Sequence, residues 1–202
     1  MQETWNASLG RRPIISKLSK LQLLTIALLT CSVILNLSLA TKTKSLRSAL
    51  LQVKAEGSLP VGTALPSIEA KGLDEQPAVI RYGQDELPTI LYVFKPSCSW
   101  CTKNIQNIRA LAESTRGRYR VIGLSLSSDN LQEYVTKSDF TFPVYSDLSP
   151  GAAIAYRMGA TPQTIVISNE GKLLKEWKGA YMGNTKQQIE TQFGLELPGI
   201  NQ

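Results

Sequence analysis

Two cysteines at the junction of a strand-like and a helix-like segment constrain the fold of this chain most strongly. Residues 89–94 read TILYVF, and this apolar run, rich in β-branched and aromatic side chains, predicts a buried strand. Cys98 and Cys101 follow it with C-x-x-C spacing. Beyond them an apolar face recurs at helical spacing to about Thr115, at Ile105, Ile108, Leu111 and Ala112. The sequence therefore predicts a strand that delivers a dithiol to the start of a helix.

The start of a helix suits a reactive cysteine because its unpaired N–H groups favour the thiolate, which is the nucleophilic form. Cys98 stands there and is the predicted nucleophile. Cys101, one turn further, is the predicted resolving thiol, which attacks a mixed disulfide between Cys98 and a substrate. We therefore predict a redox-active catalytic pair.

Two other uses of the C-x-x-C pair stay open, a structural disulfide and half of a zinc site. Zinc sites usually have four ligands from cysteine, histidine or acidic side chains. The chain has no histidine, and its one further cysteine, Cys31, lies in a separate apolar segment. We accordingly predict no metal and no cofactor.

A second apolar segment, residues 21–41, contains no charged side chain. As a helix it is long enough to cross a hydrocarbon core of about 30 Å, so we predict a single transmembrane helix in contact with membrane lipid. Ser38-Leu39-Ala40 within it is similar to a signal-peptidase site, and a cleaved signal peptide is the alternative.

Charge separates the N-terminal part from the rest of the chain. Residues 1–59 hold 8 Lys/Arg and 2 Asp/Glu, whereas residues 60–202 hold 14 of each, so the net charge of +6 belongs to the N-terminal part. This pattern is typical of membrane flanks and does not indicate nucleic-acid binding. The predicted organisation is a short basic tail (residues 1–20), a transmembrane helix (21–41), a juxtamembrane helix with linker (42–60) and one domain (61–202).

The positive residues on the two sides of the apolar segment are equal in number and do not orient it. The dithiol does favour one side, because disulfides form and persist outside the cytosol. We predict a single-pass membrane protein whose domain is extracytoplasmic, in a periplasm or an equivalent lumen.

The remainder of the domain alternates strand-like and helix-like segments. Residues 120–126 predict a second buried strand and complete a βαβ unit with residues 89–94. Ser127 or Ser128 is expected to cap the next short helix. We predict a short edge strand at residues 68–70 and a second strand at residues 78–81. A strand at residues 164–168 opens a β-hairpin, a final helix covers residues 185–193, and a loose tail follows it.

The dithiol is joined by further motifs: VGTALP at residues 61–66, FPV at residues 142–144, and Ala160-Thr161-Pro162 followed by a hairpin. Together they resemble membrane-anchored TlpA-like and ResA-like thiol-disulfide oxidoreductases over residues 61–193. The resemblance implies a thioredoxin-like α/β fold with a central mixed sheet flanked by helices and an αβ insert. It also implies protein thiol or disulfide clients, a membrane or soluble electron donor, and reduction of envelope proteins.

The same resemblance implies a substrate-binding site. Pro162 should be cis and lie beside Cys98, with the backbone of Thr161 available to an extended client, whereas an ordinary strand-start proline is the alternative. Trp100 is expected to belong to the docking surface, and a simple packing role for its large ring is the alternative. The chain departs from thioredoxins at Tyr92, where they have a buried acid that accepts a proton from the second cysteine.

Two rival functions are compatible with the sequence. A thiol-dependent peroxidase shares the segment at residues 61–66, but the Pro-x-x-x-Thr-x-x-Cys setting of peroxiredoxin-like proteins is missing before Cys98. A non-enzymatic assembly module could retain the fold without the chemistry.

Overall fold

A single long helix, α1, opens the described part of the chain. The computed structural model describes residues 20–84 and 86–200, and α1 spans Lys20–Glu56. Within it, Leu24–Lys42 is the one stretch of the described residues that is long and apolar enough to cross a membrane. The helix continues past this stretch and ends before Gly57. Residues 1–19 of the predicted basic tail lie outside the described residues.

The chain divides between Ser48 and Ala49 into two units, and the second contains a seven-stranded mixed sheet with its helices. The strands are β1 (Ile68–Gly72), β2 (Pro77–Ile80), β3 (Thr89–Phe94), β4 (Arg120–Ser125), β5 (Val144–Ser146), β6 (Gln163–Ile167) and β7 (Leu173–Lys178). The helices are α2 (Ser99–Lys103), α3 (Ile105–Ser114), α4 (Leu131–Ser138), α5 (Pro150–Ala155) and α6 (Gly183–Phe193). The spatial order is β2-β1-β5-β4-β3-β6-β7.

Strand β3 is the centre of this sheet. It pairs in parallel with β4 and antiparallel with β6, and all six of its residues are buried. The prediction of a buried central strand from its uninterrupted apolar composition is confirmed.

The side chains of β3 alternate between two hydrophobic clusters. Tyr92 and Phe94 belong to a cluster with residues of α2, α3 and α6, while Leu91 and Val93 belong to a cluster with residues of α5. The sheet is therefore covered by helices on both faces, and the predicted fold class is confirmed.

Gly123 of β4 permits close packing above the sheet. A Cβ atom there would lie 3.0 Å from Cγ2 of Val144 and 3.2 Å from Cε2 of Phe142. A side chain at this position would force the side chain of Val144, which pairs with Gly123 in the β4–β5 ladder, to shift.

The prediction that residues 68–70 form an edge strand is wrong. Strand β1 lies between β2 and β5 and pairs antiparallel with both, so β2 forms the edge. The exposed alternate residues of β1 resemble those of an edge strand, because only one face of β1 meets the core.

The predicted cap of α4 is also wrong. The N-cap is Asn130, which has φ 54° and makes no side-chain capping bond. The hydroxyl of Ser127 instead accepts a hydrogen bond from the backbone N–H of Asp129 at 3.1 Å and donates one to its carboxylate at 2.9 Å. This local Ser–Asp turn uses the hydroxyl before the helix begins.

The segment after α6 packs on the domain, contrary to the predicted loose tail. Leu197 is 2% exposed and belongs to the cluster around Tyr92. Its backbone N–H donates to Glu190 at 2.8 Å, and the N–H of Gly199 donates to the side chain of Asn107 at 2.8 Å. Leu195 also packs against this cluster, so apolar contacts and backbone bonds together hold the segment in place.

The linker before the domain is bonded to the sheet. The N–H of Leu59 donates to the carboxylate of Glu176 at 3.3 Å, and Lys178 Nζ donates to the carbonyl of Gly57 at 3.2 Å. The guanidinium of Arg157 donates to the carbonyl of Ser58 at 2.5 Å. The chain is therefore attached to the sheet from residue 57 onward.

Replacing Leu197 by alanine tests the packing of the C-terminal segment. Truncation of this buried side chain leaves a cavity, and we expect the free energy of unfolding to fall by about 2–4 kcal/mol. Urea denaturation of the full chain in detergent, followed by tryptophan fluorescence, measures the change.

Leu174→Ala is the matched control for this experiment. Leu174 is 43% exposed, so its truncation should cost less than about 0.5 kcal/mol. An equally small loss for both variants would contradict the packing of Leu197.

Candidate active site

The two cysteines lie between the end of the central strand β3 and the first turn of helix α2. Cys98 is the N-cap of α2, and it forms a disulfide with Cys101 across a Cα–Cα distance of 5.2 Å. The backbone N–H of Cys101 donates to Sγ of Cys98 at 3.1 Å. In the reduced protein this donor would stabilise a Cys98 thiolate, since hydrogen bonds to charged groups contribute about 1.5–3 kcal/mol.

Exposure distinguishes the two sulfurs. Cys98 is half-buried, whereas Cys101 is 0% exposed and belongs to the cluster that contains Tyr92. A client disulfide can therefore approach the sulfur of Cys98. The sulfur of Cys101 is accessible only to the neighbouring sulfur of Cys98. This difference matches the predicted nucleophilic and resolving roles.

The Thr161–Pro162 turn lies beside Cys98. Its peptide bond is cis, as the sequence resemblance implied, and Sγ of Cys98 is 3.5 Å from the carbonyl oxygen of Thr161. Thr161 is half-buried, and Pro162 is buried and accepts a bond from the N–H of Gly179 at 2.7 Å. The structure thus brings Cys98, Thr161 and Pro162 together, and client binding at Thr161 stays a prediction.

Trp100 is on the surface between the cysteines. It is 47% exposed, and Nζ of Lys103 lies 5.0 Å from its ring centroid, within range of a cation–π contact. The ring is therefore not part of the core. Its position next to Cys98 and Cys101 is compatible with the predicted docking role.

Tyr92 occupies the position where thioredoxins have a buried acid. It is fully buried, and burial, with Tyr181 nearby, raises the pKa of Tyr92 well above the ordinary value of 10.0. The amide of Asn104 donates to its hydroxyl at 3.5 Å. Because a group stays protonated below its pKa, Tyr92 is a neutral phenol at physiological pH and cannot accept a proton from Cys101.

Asn104 is a site residue that the sequence reasoning missed. It is fully buried and separates α2 from α3, where a single helix was predicted. Its Oδ1 accepts bonds from the N–H of Tyr181 at 2.9 Å and from the amide of Asn107 at 3.1 Å. Two asparagines three residues apart on the helix that carries Cys101 were the available signal, because this residue type favours helix ends over helix interiors.

Among the described residues, no group of three or more histidine, cysteine, aspartate or glutamate side chains is arranged to hold a metal ion. The site chemistry that the structure offers is that of the dithiol. The site consists of the two sulfur atoms, the backbone N–H that donates to Cys98, and the turn at Thr161.

The mixed sheet, the dithiol at the N-terminus of α2 and the cis-proline turn define a protein of the thioredoxin fold. Over residues 61–175 the sequence matches the AhpC/TSA family, and the chain belongs to this family. The predicted relationship to thioredoxin-like proteins is thereby confirmed.

One curated relative is the "Thioredoxin-like protein" of Haemophilus influenzae. It is 30% identical over 89 residues, which are 43% of this chain and 51% of that protein. The match thus spans about half the length of this relative.

Solved structures show the same fold at low identity. StoA from Bacillus subtilis superposes with a TM-score of 0.51 at 16% identity, over 64% of this chain and 99% of StoA. A thiol:disulfide interchange protein from Bacteroides sp. has a TM-score of 0.55 at 15% identity, over 68% and 93% of the two chains. A peroxiredoxin-like protein from Aquifex aeolicus has a TM-score of 0.53 at 14% identity, over 68% and 88%.

Tyr92→Phe tests whether the buried phenol takes part in proton transfer. Because the hydroxyl stays protonated, the rate of Cys98 alkylation and the rate of disulfide reduction should stay within about three-fold of wild type from about pH 6 to about pH 9. Iodoacetamide labelling and a stopped-flow reduction assay measure the two rates.

Tyr181→Phe is the control, since it removes another fully buried hydroxyl, one bonded to Thr164 at 2.7 Å. A fall of about a hundred-fold in Tyr92→Phe alone would identify Tyr92 as the proton acceptor after all.

Proposed function

We propose that this protein is a membrane-tethered, extracytoplasmic thiol-disulfide oxidoreductase that reduces disulfides of envelope proteins. The observation that carries the proposal is the half-buried Cys98, linked to a buried Cys101 and lying 3.5 Å from the Thr161 carbonyl. Membership of the AhpC/TSA family supports the redox class.

The first step is attack on the client. In the reduced protein the Cys98 thiolate forms a bond to one sulfur of a client disulfide, and the client S–S bond breaks. The second client sulfur leaves as a thiolate and takes a proton from solvent. The N–H of Cys101, 3.1 Å from Sγ of Cys98, favours the attacking thiolate.

The second step releases the client. Cys101 gives its proton to solvent water and attacks Sγ of Cys98, the bond between Cys98 and the client breaks, and the client sulfur leaves as a thiolate. The client has gained two electrons and the dithiol has become the Cys98–Cys101 disulfide. A membrane or soluble electron donor then returns two electrons to the protein.

The apolar stretch Leu24–Lys42 supports the tether, because a helix of this length and hydropathy can cross the hydrocarbon core. An extracytoplasmic position follows from the redox chemistry of the compartments, since disulfides persist outside the cytosol. The tether would keep the domain close to a donor in the same membrane.

Thiol peroxidase activity is the second candidate, favoured by the AhpC/TSA match. The sequence before Cys98 argues against peroxidase activity. Lys95 stands where the peroxiredoxin-like setting has threonine, and Leu91 stands where it has proline. Leu91 is also fully buried within β3, where it belongs to a hydrophobic cluster. The disulfide reductase is therefore the better-supported function.

Cys101→Ser should trap clients. Without the resolving thiol, the mixed disulfide formed by Cys98 persists, and adducts should accumulate that disappear on treatment with dithiothreitol. Non-reducing electrophoresis with mass spectrometry of the adducts measures this. Cys98→Ser is the matched control and should give no adducts, since Cys101 is 0% exposed. Absence of adducts from Cys101→Ser, with no insulin reduction by wild type, would overturn the proposed function.

The extracytoplasmic position is tested by labelling in intact cells. After mild reduction, a membrane-impermeant maleimide should modify Cys98 in the Cys31→Ser background, because Cys98 is half-buried and Cys101 is not exposed. A cytoplasmic cysteine protein serves as the leakage control. Labelling that requires cell lysis would place the domain in the cytosol and contradict the proposal.

A further inference from the structure

A groove lies beside the dithiol, between the loop that precedes Cys98 and helix α4. Its volume is about 330 Å³, and its lining includes Pro96, Ser97, Ser127, Asp129, Glu133 and Lys137. We call it the α4 groove. Ser97 lines the groove and directly precedes Cys98 in the chain, so the groove lies next to the residue to which a client would be attached.

The α4 groove and Thr161 flank Cys98 on opposite sides. Strand β3 ends shortly before Cys98 and lies between β4 and β6 in the sheet. The loop after β4 lines the groove, whereas β6 begins directly after Pro162. Neighbouring strands are about 4.8 Å apart and an extended chain advances about 3.3 Å per residue. A client residue about two or three positions from the attacked cysteine can therefore reach the groove.

The charges of the groove are unequal. Asp129 accepts a hydrogen bond from the Ser127 hydroxyl at 2.9 Å, and Glu133 forms an ion pair with Lys137 at 2.5 Å. Two carboxylates thus accompany one ammonium group among the lining residues. Both side chains of this ion pair are exposed to solvent, so the pair is weak, and Glu133 can still attract a cationic side chain.

An aromatic ring completes the groove. Tyr134 of α4 lines it, and its ring stacks on Phe94 with a centroid distance of 5.4 Å and an interplanar angle of 23°. Phe94 covers one face of this ring, and the part of Tyr134 that lines the groove offers apolar surface to the hydrocarbon stem of a long side chain. Acidic groups next to an aromatic wall match a basic side chain.

We propose that the α4 groove binds an arginine or lysine side chain of the client, about two or three residues from the attacked cysteine. This inference rests on the proposed function, since it names a property of the clients. Asp129 and Glu133 are specificity residues, because the groove contacts the client outside the reacting sulfurs.

Three disulfide-bonded peptides that differ at one position, two residues from the first cysteine, test the proposal. They carry arginine, alanine or glutamate there, and the second-order rate constant for their reduction by the reduced full chain in detergent is measured in single turnover by mass spectrometry. We expect the arginine peptide to react about five to ten times faster than the glutamate peptide at low ionic strength, and the ratio to decline as salt is added.

The Asp129→Asn, Glu133→Gln double variant leaves Lys137 as the charged group of the groove lining, so the ratio of the two rate constants should fall to one or below. Glu170→Gln is the matched control, because Glu170 is an exposed, ion-paired carboxylate in the β6–β7 turn, at the other end of β6 from Pro162, and the ratio should stay unchanged. An equal rate for all three peptides in wild type, or a ratio that survives the double variant, would overturn the groove proposal while the proposed function stands. If none of the peptides is reduced, the proposed function fails and the groove proposal fails with it.

Discussion

The pairing of β3 with β4 on one side and β6 on the other is the constraint on which the site depends. The six buried residues of β3 anchor the point from which Cys98 emerges, so the sulfur has a fixed place relative to both neighbours. The turn before β6 brings the Thr161 carbonyl to 3.5 Å from this sulfur. The loop after β4 forms one wall of the groove on the other side. A shift of β3 would therefore separate all parts of the site at once.

Neutral polar groups organise the helix that carries the second cysteine. Asn104 interrupts the helix and bonds to the backbone of Tyr181 and to Asn107, which in turn holds Gly199 of the C-terminal segment. Because a buried donor or acceptor without a partner costs about 1–3 kcal/mol, this network favours one position of the helix break. It links the helices after Cys98, the segment between β7 and α6, and the C-terminal segment through neutral groups.

Local patterns in the sequence sufficed for most of the elements. The apolar run of β3, the helical spacing after Cys101 and the apolar run of β4 each depend on neighbours in the chain, and the structure contains all three. The internal position of β1 and the packing of Leu197 were not predictable in this way, because both depend on contacts with residues distant in sequence. Asn104 was missed for the same reason, since its partner Tyr181 is 77 residues away.

The sequence by itself determined the dithiol, the strand and helix that flank it, and the apolar helix near the N-terminus, because spacing and hydropathy are local properties. Only the tertiary structure decided which sulfur faces solvent, that the phenol of Tyr92 has a raised pKa, and that the α4 groove opens beside Cys98. These properties arise from burial and from the order of strands in the sheet, and both are set by contacts between segments that lie far apart along the chain.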